Sequence, residues 1–320
     1  MKVRHLLKIT DLSTAEAKKV LKLSLQLKKE LKTKGKNKPV FKQKTLAMIY
    51  EKPSLRTRIS FEIGMTQLGG HAIYLGPNDI QMGKRESAGD VGIVTSSMAD
   101  LIMARTFKHE TVVDLAEGSS VPVINGLSDL EHPCQILADY LTILEKLGRV
   151  NKLKIAYLGD SSNNVTHSFI LLSSMFGNEF RTGSPKGYWM DREIVKEAKE
   201  IAKKTKAKIV ETNDPKKAIE GADVVVTDTW VSMGNEAEKK KRLKVFPKYQ
   251  VTEKLMNMAK KKSIFMHCLP AYRGKEVAGK VIDGPQSVVF DEAENRLHAQ
   301  KGLMVFLASK NKRRYHDKNS

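Results

Sequence analysis

Glu51-Lys52-Pro53-Ser54-Leu55-Arg56-Thr57-Arg58-Ile59-Ser60-Phe61-Glu62 is the stretch that decides the fold. The apolar run Thr45–Tyr50 before it reads as a buried strand. After it, Ile59, Phe61, Ile63, Met65 and Leu68 form a mostly apolar segment that Gly69 and Gly70 stop. The local reading is strand, tight connection, helix. Ser54 stands where a helix cap belongs, its hydroxyl able to accept from a free N–H of the first turn. Arg56 and Arg58 then lie beside the positive end of the helix dipole, unfavourable by roughly 0.3–1 kcal/mol each unless something offsets it. A bound anion does so: free N–H groups, two hydroxyls and two guanidinium forks make a phosphate cradle. The bland reading of the same residues is a capped helix whose arginines reach into solvent.

Working outward, strands and helices alternate. Residues 11–32 carry Ala17, Val20, Leu21, Leu25 and Leu31 at helical spacing with lysines between them, an amphipathic helix. Short apolar runs at Ala72–Leu75, Leu101–Ala104 and Val121–Ile124 alternate with helical stretches, the pattern of a parallel sheet with crossover helices. Residues 133–146 read as a long helix and 147–152 as the hinge to a second unit. There the logic repeats. Lys154–Leu158 is a strand ending in Gly159-Asp160, and Lys208–Glu211, Asp223–Thr227 and Ile264–His267 are further buried strands. A strand near Phe180–Pro185 is expected but poor, because Arg181, Thr182 and Gly183 interrupt it. The Gly159 turn lacks the G-x-G-x-x-G of a dinucleotide site. The run Lys239–Lys244 reads as a wet helix face, Ala293–Leu307 as a closing helix, and Lys310–Ser320 as a frayed basic tail. The fold class is therefore α/β, with two doubly wound parallel-sheet domains joined by long helices. The expected boundaries are residues 1–147, 148–292, and 293–320 returning to the first domain.

With 320 residues and 41% hydrophobic content, the chain supports two globular cores. No apolar run approaches the ~20 residues that span a bilayer, and Met1–Leu12 resembles neither a signal nor a transit peptide. Two cysteines, Cys134 and Cys268, make no disulfide framework and suit a reducing, cytoplasmic compartment. The formal charge of +20 raises nucleic acid as a partner, but the lysines are scattered along helices and aromatics are only 6%. A solvated basic surface or attraction of small anions accounts for it better.

Three further stretches end predicted strands, where open α/β sheets place ligands. In His132-Pro133-Cys134-Gln135, Pro133 suits a first helical position and leaves His132 at the cap. The histidine reads either as structural or as a carbonyl activator. Asp228-Thr229-Trp230-Val231-Ser232-Met233-Gly234 places an acid at a strand's end, fit to grip an ammonium group or simply to cap a loop. His267-Cys268-Leu269-Pro270 offers a cysteine beside a histidine, a nucleophile or a soft contact for an amine. A zinc site would have to recruit His132 and His267 from distant segments, so no metal is expected.

Together, S-x-R-T-R, H-P-C-Q, D-x-x-x-S-M-G and H-C-L-P in this order resemble the ornithine carbamoyltransferases of the aspartate/ornithine carbamoyltransferase superfamily. The resemblance runs from about Leu7 to Ala308 and includes Gln81, Arg105 and Asp291-Glu292-Ala293-Glu294-Asn295-Arg296. It implies that Ser54, Leu55, Arg56 and Thr57 hold the phosphate of carbamoyl phosphate. Arg105, His132 and Gln135 would bind that phosphate and the carbonyl oxygen, Gln81 would reach the ligand across a subunit interface, and Arg296 would come from the second domain. Asn164, Asp228, Ser232 and Met233 would hold the α-amino and α-carboxyl groups of ornithine, with Cys268 and Leu269 orienting its side-chain amine. The implied chemistry is attack of the neutral δ-amine on the carbamoyl carbon, giving citrulline and phosphate. Arg56, Arg105, His132, Asp228 and Cys268 would be the catalytic groups. No metal or organic cofactor is implied, and Cys268 forms no covalent intermediate. The family further implies a homotrimer or an assembly of trimers, a role in arginine biosynthesis or the urea cycle, and neither a nucleic-acid nor a membrane partner. Departures from the family pattern are Leu55 in place of a threonine, Asp90-Val91-Gly92-Ile93-Val94 in place of a more polar helix start, and the polar strand near Phe180. Other readings are a transcarbamylase for another amine such as putrescine, a weakened homologue that only binds ligands, and a nucleic-acid-binding protein.

Overall fold

The computed structural model describes residues 3–83, 85–231 and 236–311. Two compact units result, Met1–Leu141 with Glu294–Ser320, and Thr142–Ala293. In order, the first unit contains α1 (Thr14–Lys34), β1 (Thr45–Tyr50), α2 (Leu55–Gln67), β2 (His71–Leu75), α3 (Pro77–Ile80) and α4 (Ala88–Met98). It continues with β3 (Leu101–Arg105), α5 (His109–Gly118), β4 (Val123–Leu127) and α6 (Pro133–Leu147), within which the division falls. The four strands are parallel in the order β2-β1-β3-β4. β3 is buried throughout, and so is β1 apart from its first residue, because helices cover both sheet faces. The reversal of strand order lies between β1 and β3, with Tyr50 opposite Arg105. Both carboxyl ends therefore open on the crevice where such sheets bind ligands.

Local chemistry sets these elements. Ser13 accepts from Glu16 N–H while the Glu16 carboxylate takes Ser13 N–H, a closed capping box at the start of α1. α4 lies so close to α5 that a Cβ on Gly92 would meet Leu115 O at 2.3 Å. Gly92 and the buried Val91 thus give the unusual start of α4 a packing role, while Ile93 and Val94 face outward.

The second unit holds β5 (Lys154–Leu158), α7 (Asn164–Met175), β6 (Glu179–Gly183), α8 (Arg192–Thr205), β7 (Lys208–Thr212) and α9 (Pro215–Ile219). After these come β8 (Val224–Thr227), α10 (Lys239–Val245), α11 (Glu253–Met256), β9 (Ile264–Met266), α12 (Gly279–Ile282) and the start of α13 (Val289–Lys310). The parallel order is β7-β6-β5-β8-β9, with its reversal between β5 and β8. The polar strand β6 forms because its charges are used. Arg181 binds Glu179 at 2.6 Å and the Glu220 carbonyl at 3.0 Å. Gly183 lets the chain pass where a Cβ would meet Leu158 Cδ2 at 2.7 Å.

Candidate active site

Each unit gathers its chemistry at its own reversal point. In the first, Ser54 caps α2: its Oγ accepts from Thr57 N–H at 3.3 Å and donates to Thr57 Oγ1 at 3.1 Å. Thr57 is fully buried, Arg56 half-buried, and Leu55 is 69% exposed. Arg58 does not join the cradle. Its Nε binds Glu62 at 3.2 Å and its guanidinium stacks 4.1 Å from the Tyr74 ring centre. The dipole penalty of Arg58 is thus offset by a carboxylate one turn on.

Arg296 belongs to the first unit, which corrects the expectation that it comes from the second. Helix α13 crosses the division after Ala293, so its next residues sit with α2 and α6. Arg296 Nη1 donates to Gln135 Oε1 at 2.6 Å and Nη2 to Thr57 Oγ1 at 3.2 Å. Gln135 Nε2 in turn donates to Asp139 at 2.7 Å. The planar fork therefore ties the start of α6 to the first turn of α2.

Arg105, at the end of β3, and His132, at the cap of α6, are both buried. Burial, then the charges of Arg296, Arg105, Lys52 and Arg56, holds His132 well below the ordinary histidine range. A neutral imidazole among four cations donates one hydrogen bond and brings no fifth charge. Lys52 is the residue sequence reasoning passed over. Burial and Arg105 push its ammonium downward, and it sits 4.9 Å from the Phe107 ring centre. Only its place in the Glu51–Ser54 connection signalled it. Cys134 is a buried core thiol donating to Asn125 O at 3.3 Å, and burial pushes it up to about 12. Gln81, in the left-handed region at φ 54, is exposed at the end of α3.

In the second unit, Asn163 caps α7, accepting from Thr166 N–H at 2.9 Å, so Asn164 is the first helical residue. Asp228 follows β8 and takes Thr229 N–H at 2.7 Å. Cys268 follows β9, its Sγ 3.3 Å from Asp228 Oδ1. Burial raises the Asp228 carboxyl, against the pull of His267 and of the bonds from Thr229 and Cys268. Adjacent strands thus bring Asp228, Cys268 and Leu269 together. Ser232 and Met233 lie outside the described residues, as do residues 312–320 of the expected tail.

The run Lys239–Lys244 departs from a wet helix face at one residue. Arg242 is buried, bound to Asp160, to Glu238 at 2.9 Å and to Trp230 O at 3.0 Å. Asp160 Oδ1 meanwhile holds Ser162 N and Oγ at 3.0 and 2.7 Å. One guanidinium thereby anchors the connections that carry Asn164 and Asp228. Among the described residues, the ligand atoms of Asp228, His267 and Cys268 lie within 4.8 Å of one another, close enough to hold a metal ion. His267 is already engaged, however: its Nδ1 accepts Leu269 N–H at 2.9 Å, and its Nε2 faces Glu276 at 3.3 Å.

Comparison with known proteins follows the same partition. Residues 4–145 match the family model of the aspartate/ornithine carbamoyltransferase carbamoyl-P binding domain, and residues 151–307 that of the Asp/Orn binding domain. The chain is 51% identical over 308 residues to the ornithine carbamoyltransferase of Wolinella succinogenes, covering 96% of this chain and 99% of that protein. It is 49% identical to that of Thermococcus kodakarensis, over 95% of this chain and 96% of the relative. Among solved structures, the ornithine carbamoyltransferase from Pyrococcus furiosus superposes with a TM-score of 0.91 at 46% identity, covering 95% and 96% of the two chains. The anabolic enzyme from Campylobacter jejuni gives 0.91 at 41% identity, covering 96% and 100%.

Proposed function

Because the chain belongs to the aspartate/ornithine carbamoyltransferase family, we propose that it transfers the carbamoyl group of carbamoyl phosphate to the δ-amine of L-ornithine, giving L-citrulline and phosphate. The observation that carries this reading is the pairing of chemistries. One unit holds a capped helix start with Arg56, Arg105, Arg296 and a depressed His132. The other holds Asp228 beside Cys268.

In this reading Ser54, Leu55 and Thr57 present first-turn groups of α2 to the phosphate, and Arg56, Arg105 and Arg296 supply charge. His132, kept neutral by its surroundings, donates to the carbamoyl oxygen, with Gln135 held in place by Arg296. Asn164, Asp228, Ser232 and Met233 hold the amino-acid end of ornithine, and Cys268 and Leu269 direct its δ-amine. The neutral amine attacks the carbamoyl carbon, the C–O bond to phosphate breaks, and the departing phosphate takes up the proton that the amine nitrogen loses. Charge collecting on the carbonyl oxygen and the departing phosphate meets preorganised donors, the largest kind of catalytic contribution. Holding the amine in line with the carbon contributes a further part.

The finer features of the reading are a homotrimer in which Gln81 reaches a neighbouring site, and a cytoplasmic place in arginine biosynthesis or urea-cycle chemistry. The exposed, left-handed Gln81 supports the first, and two cysteines outside any disulfide support the reducing, cytoplasmic compartment. Colorimetric citrulline formation from carbamoyl phosphate and L-ornithine tests the proposal. No product with ornithine, or carbamoylation of putrescine in its place, would overturn it.

A further inference from the structure

The His267-Cys268-Leu269-Pro270 segment contains a residue that the proposed reaction leaves unused. His267 is fully buried at the end of β9. Its N–H donates to Glu292 Oε2 at 2.9 Å, fixing the backbone as it leaves the strand. Its Nδ1 accepts Leu269 N–H at 2.9 Å, which puts the ring proton on Nε2. Nε2 faces Glu276 Oε1 at 3.3 Å, too far off line for a well-aligned hydrogen bond. Glu276 is fully buried and also takes Tyr272 N–H.

The residue that depends on this arrangement is Leu269. Its φ of 57 places a branched side chain in the left-handed region, which non-glycine residues seldom occupy. Its N–H points back into the turn and finds the imidazole of His267 as acceptor. Cys268 lies between the two, with Sγ 3.3 Å from Asp228. The imidazole thus closes a ring around the residue that presents its thiol to the acidic group.

We propose that His267 is a positioning residue for the acceptor-amine half-site, its Nδ1 fixing the Cys268–Leu269 turn so that the thiol and the Leu269 backbone meet the incoming amine. This rests on the ornithine reading above. It separates the two ring nitrogens: Nδ1 sets the turn, whereas Nε2 and Glu276 only seat the ring.

Two near-isosteric substitutions test that separation. In His267→Asn the side-chain oxygen takes the place of Nδ1, while in His267→Gln the amide nitrogen takes the place of Nε2. The turn's hydrogen bond survives in the first and is lost in the second. Loss of one such bond should raise the KM for ornithine in His267→Gln roughly three- to tenfold, with the KM for carbamoyl phosphate within about twofold of the parent. His267→Asn and Glu276→Gln should keep both KM values within about twofold. Iodoacetamide alkylation of Cys268 provides a readout that needs no turnover, since Cys134 is buried and pushed up to about 12. Its rate should change in His267→Gln and stay parental in the other two. A purely structural histidine would lower the melting temperature in all three variants without sorting them this way. Equal effects of Asn and Gln, an equal rise in both KM values, or a Glu276→Gln variant with raised ornithine KM would overturn the proposal. Should His267→Gln not fold, the other two variants still decide, because both must stay parental. A parent that makes no citrulline would defeat the ornithine reading instead, and alkylation would still report whether Nδ1 sets Cys268.

Discussion

Replacing Arg296 by lysine keeps the charge and removes the fork. In the folded chain the guanidinium of Arg296, a residue 2% exposed, donates to Gln135 Oε1 at 2.6 Å and to Thr57 Oγ1 at 3.2 Å. An ammonium is a point donor on a flexible stem and cannot span both acceptors in one plane. At least one charge-assisted bond is then lost, worth about 1.5–3 kcal/mol, and Thr57 or Gln135 loses its fixed orientation. The expected result is a roughly tenfold to hundredfold fall in kcat/KM for carbamoyl phosphate, with the KM for ornithine little changed. Arg296→Met removes the charge as well, and Arg296 is the foremost of the cations that depress His132. The sign follows directly: without that cation protonated imidazole is less disfavoured, so the His132 pKa rises. The acid limb of kcat/KM for carbamoyl phosphate should move to higher pH in the methionine variant and stay put in the lysine variant. Citrulline formation, measured with carbamoyl phosphate varied at saturating ornithine between pH 5.5 and 9 on variants of verified fold, reads both effects. A folded Arg296→Lys protein with parental kinetics would refute the argument that the fork organises the cradle.

Other outcomes follow from single features. Leu55 is 69% exposed, so it does not pack beneath the cradle. Leu55→Thr should therefore leave the melting temperature near the parent value and, by adding one hydroxyl bond to a charged ligand, lower the KM for carbamoyl phosphate roughly tenfold to hundredfold; an unchanged KM would count against the hydroxyl. Burial, then Lys301 and Lys28, depresses His298 from 6.5 to about 4. Its stabilising effect is complete above pH 6.5 and is lost as pH falls through 4, by at most about 3 kcal/mol. Urea titrations at pH 7 and 4.5 should show a smaller acid loss in His298→Gln than in the parent, and equal losses would contradict this. If Gln81 serves a neighbouring subunit, mixing inactive Gln81→Ala with inactive Cys268→Ser chains restores part of the activity, whereas verified mixed trimers that stay inactive would place each site in one chain.

What the sequence disclosed was local. Ser54 as a cap, Pro133 as a first helical residue and Asp228 at a strand end are set by neighbours within a few positions, so spacing alone exposed them. The residues that escaped depend on distant partners. Arg242 reads as one more charge in a solvated run until Asp160 is brought beside it, across 82 positions. Arg58 reads as a second phosphate ligand until Glu62 and Tyr74 claim it. β6 looks like a poor strand because its polarity is visible and its compensation is not. Arg181 needs the Glu220 carbonyl, 39 residues away, to make that polarity harmless. For Arg296 the family resemblance pointed to the second unit and the expected return of residues 293–320 to the first, because a helix that crosses a domain division carries no sequence mark where it does so.

The electrostatics explain why such a site is built on helix starts and strand ends rather than within a core. Lys52, Arg56, Arg105 and Arg296 all act on His132 in the same sense, and Lys52 is itself pushed downward by burial and then by Arg105. Like charges at this density oppose folding, and burial deepens the cost. Two bonds of Arg296 go to neutral acceptors, Thr57 and Gln135, which orient the guanidinium without themselves cancelling its charge. In the second unit burial raises the Asp228 carboxyl, while His267, Thr229 N–H and the Cys268 thiol favour its anionic form. In both units, then, directed hydrogen bonds from neutral groups fix a charged side chain at a helix start or a strand end, where the chain can present it outside the core.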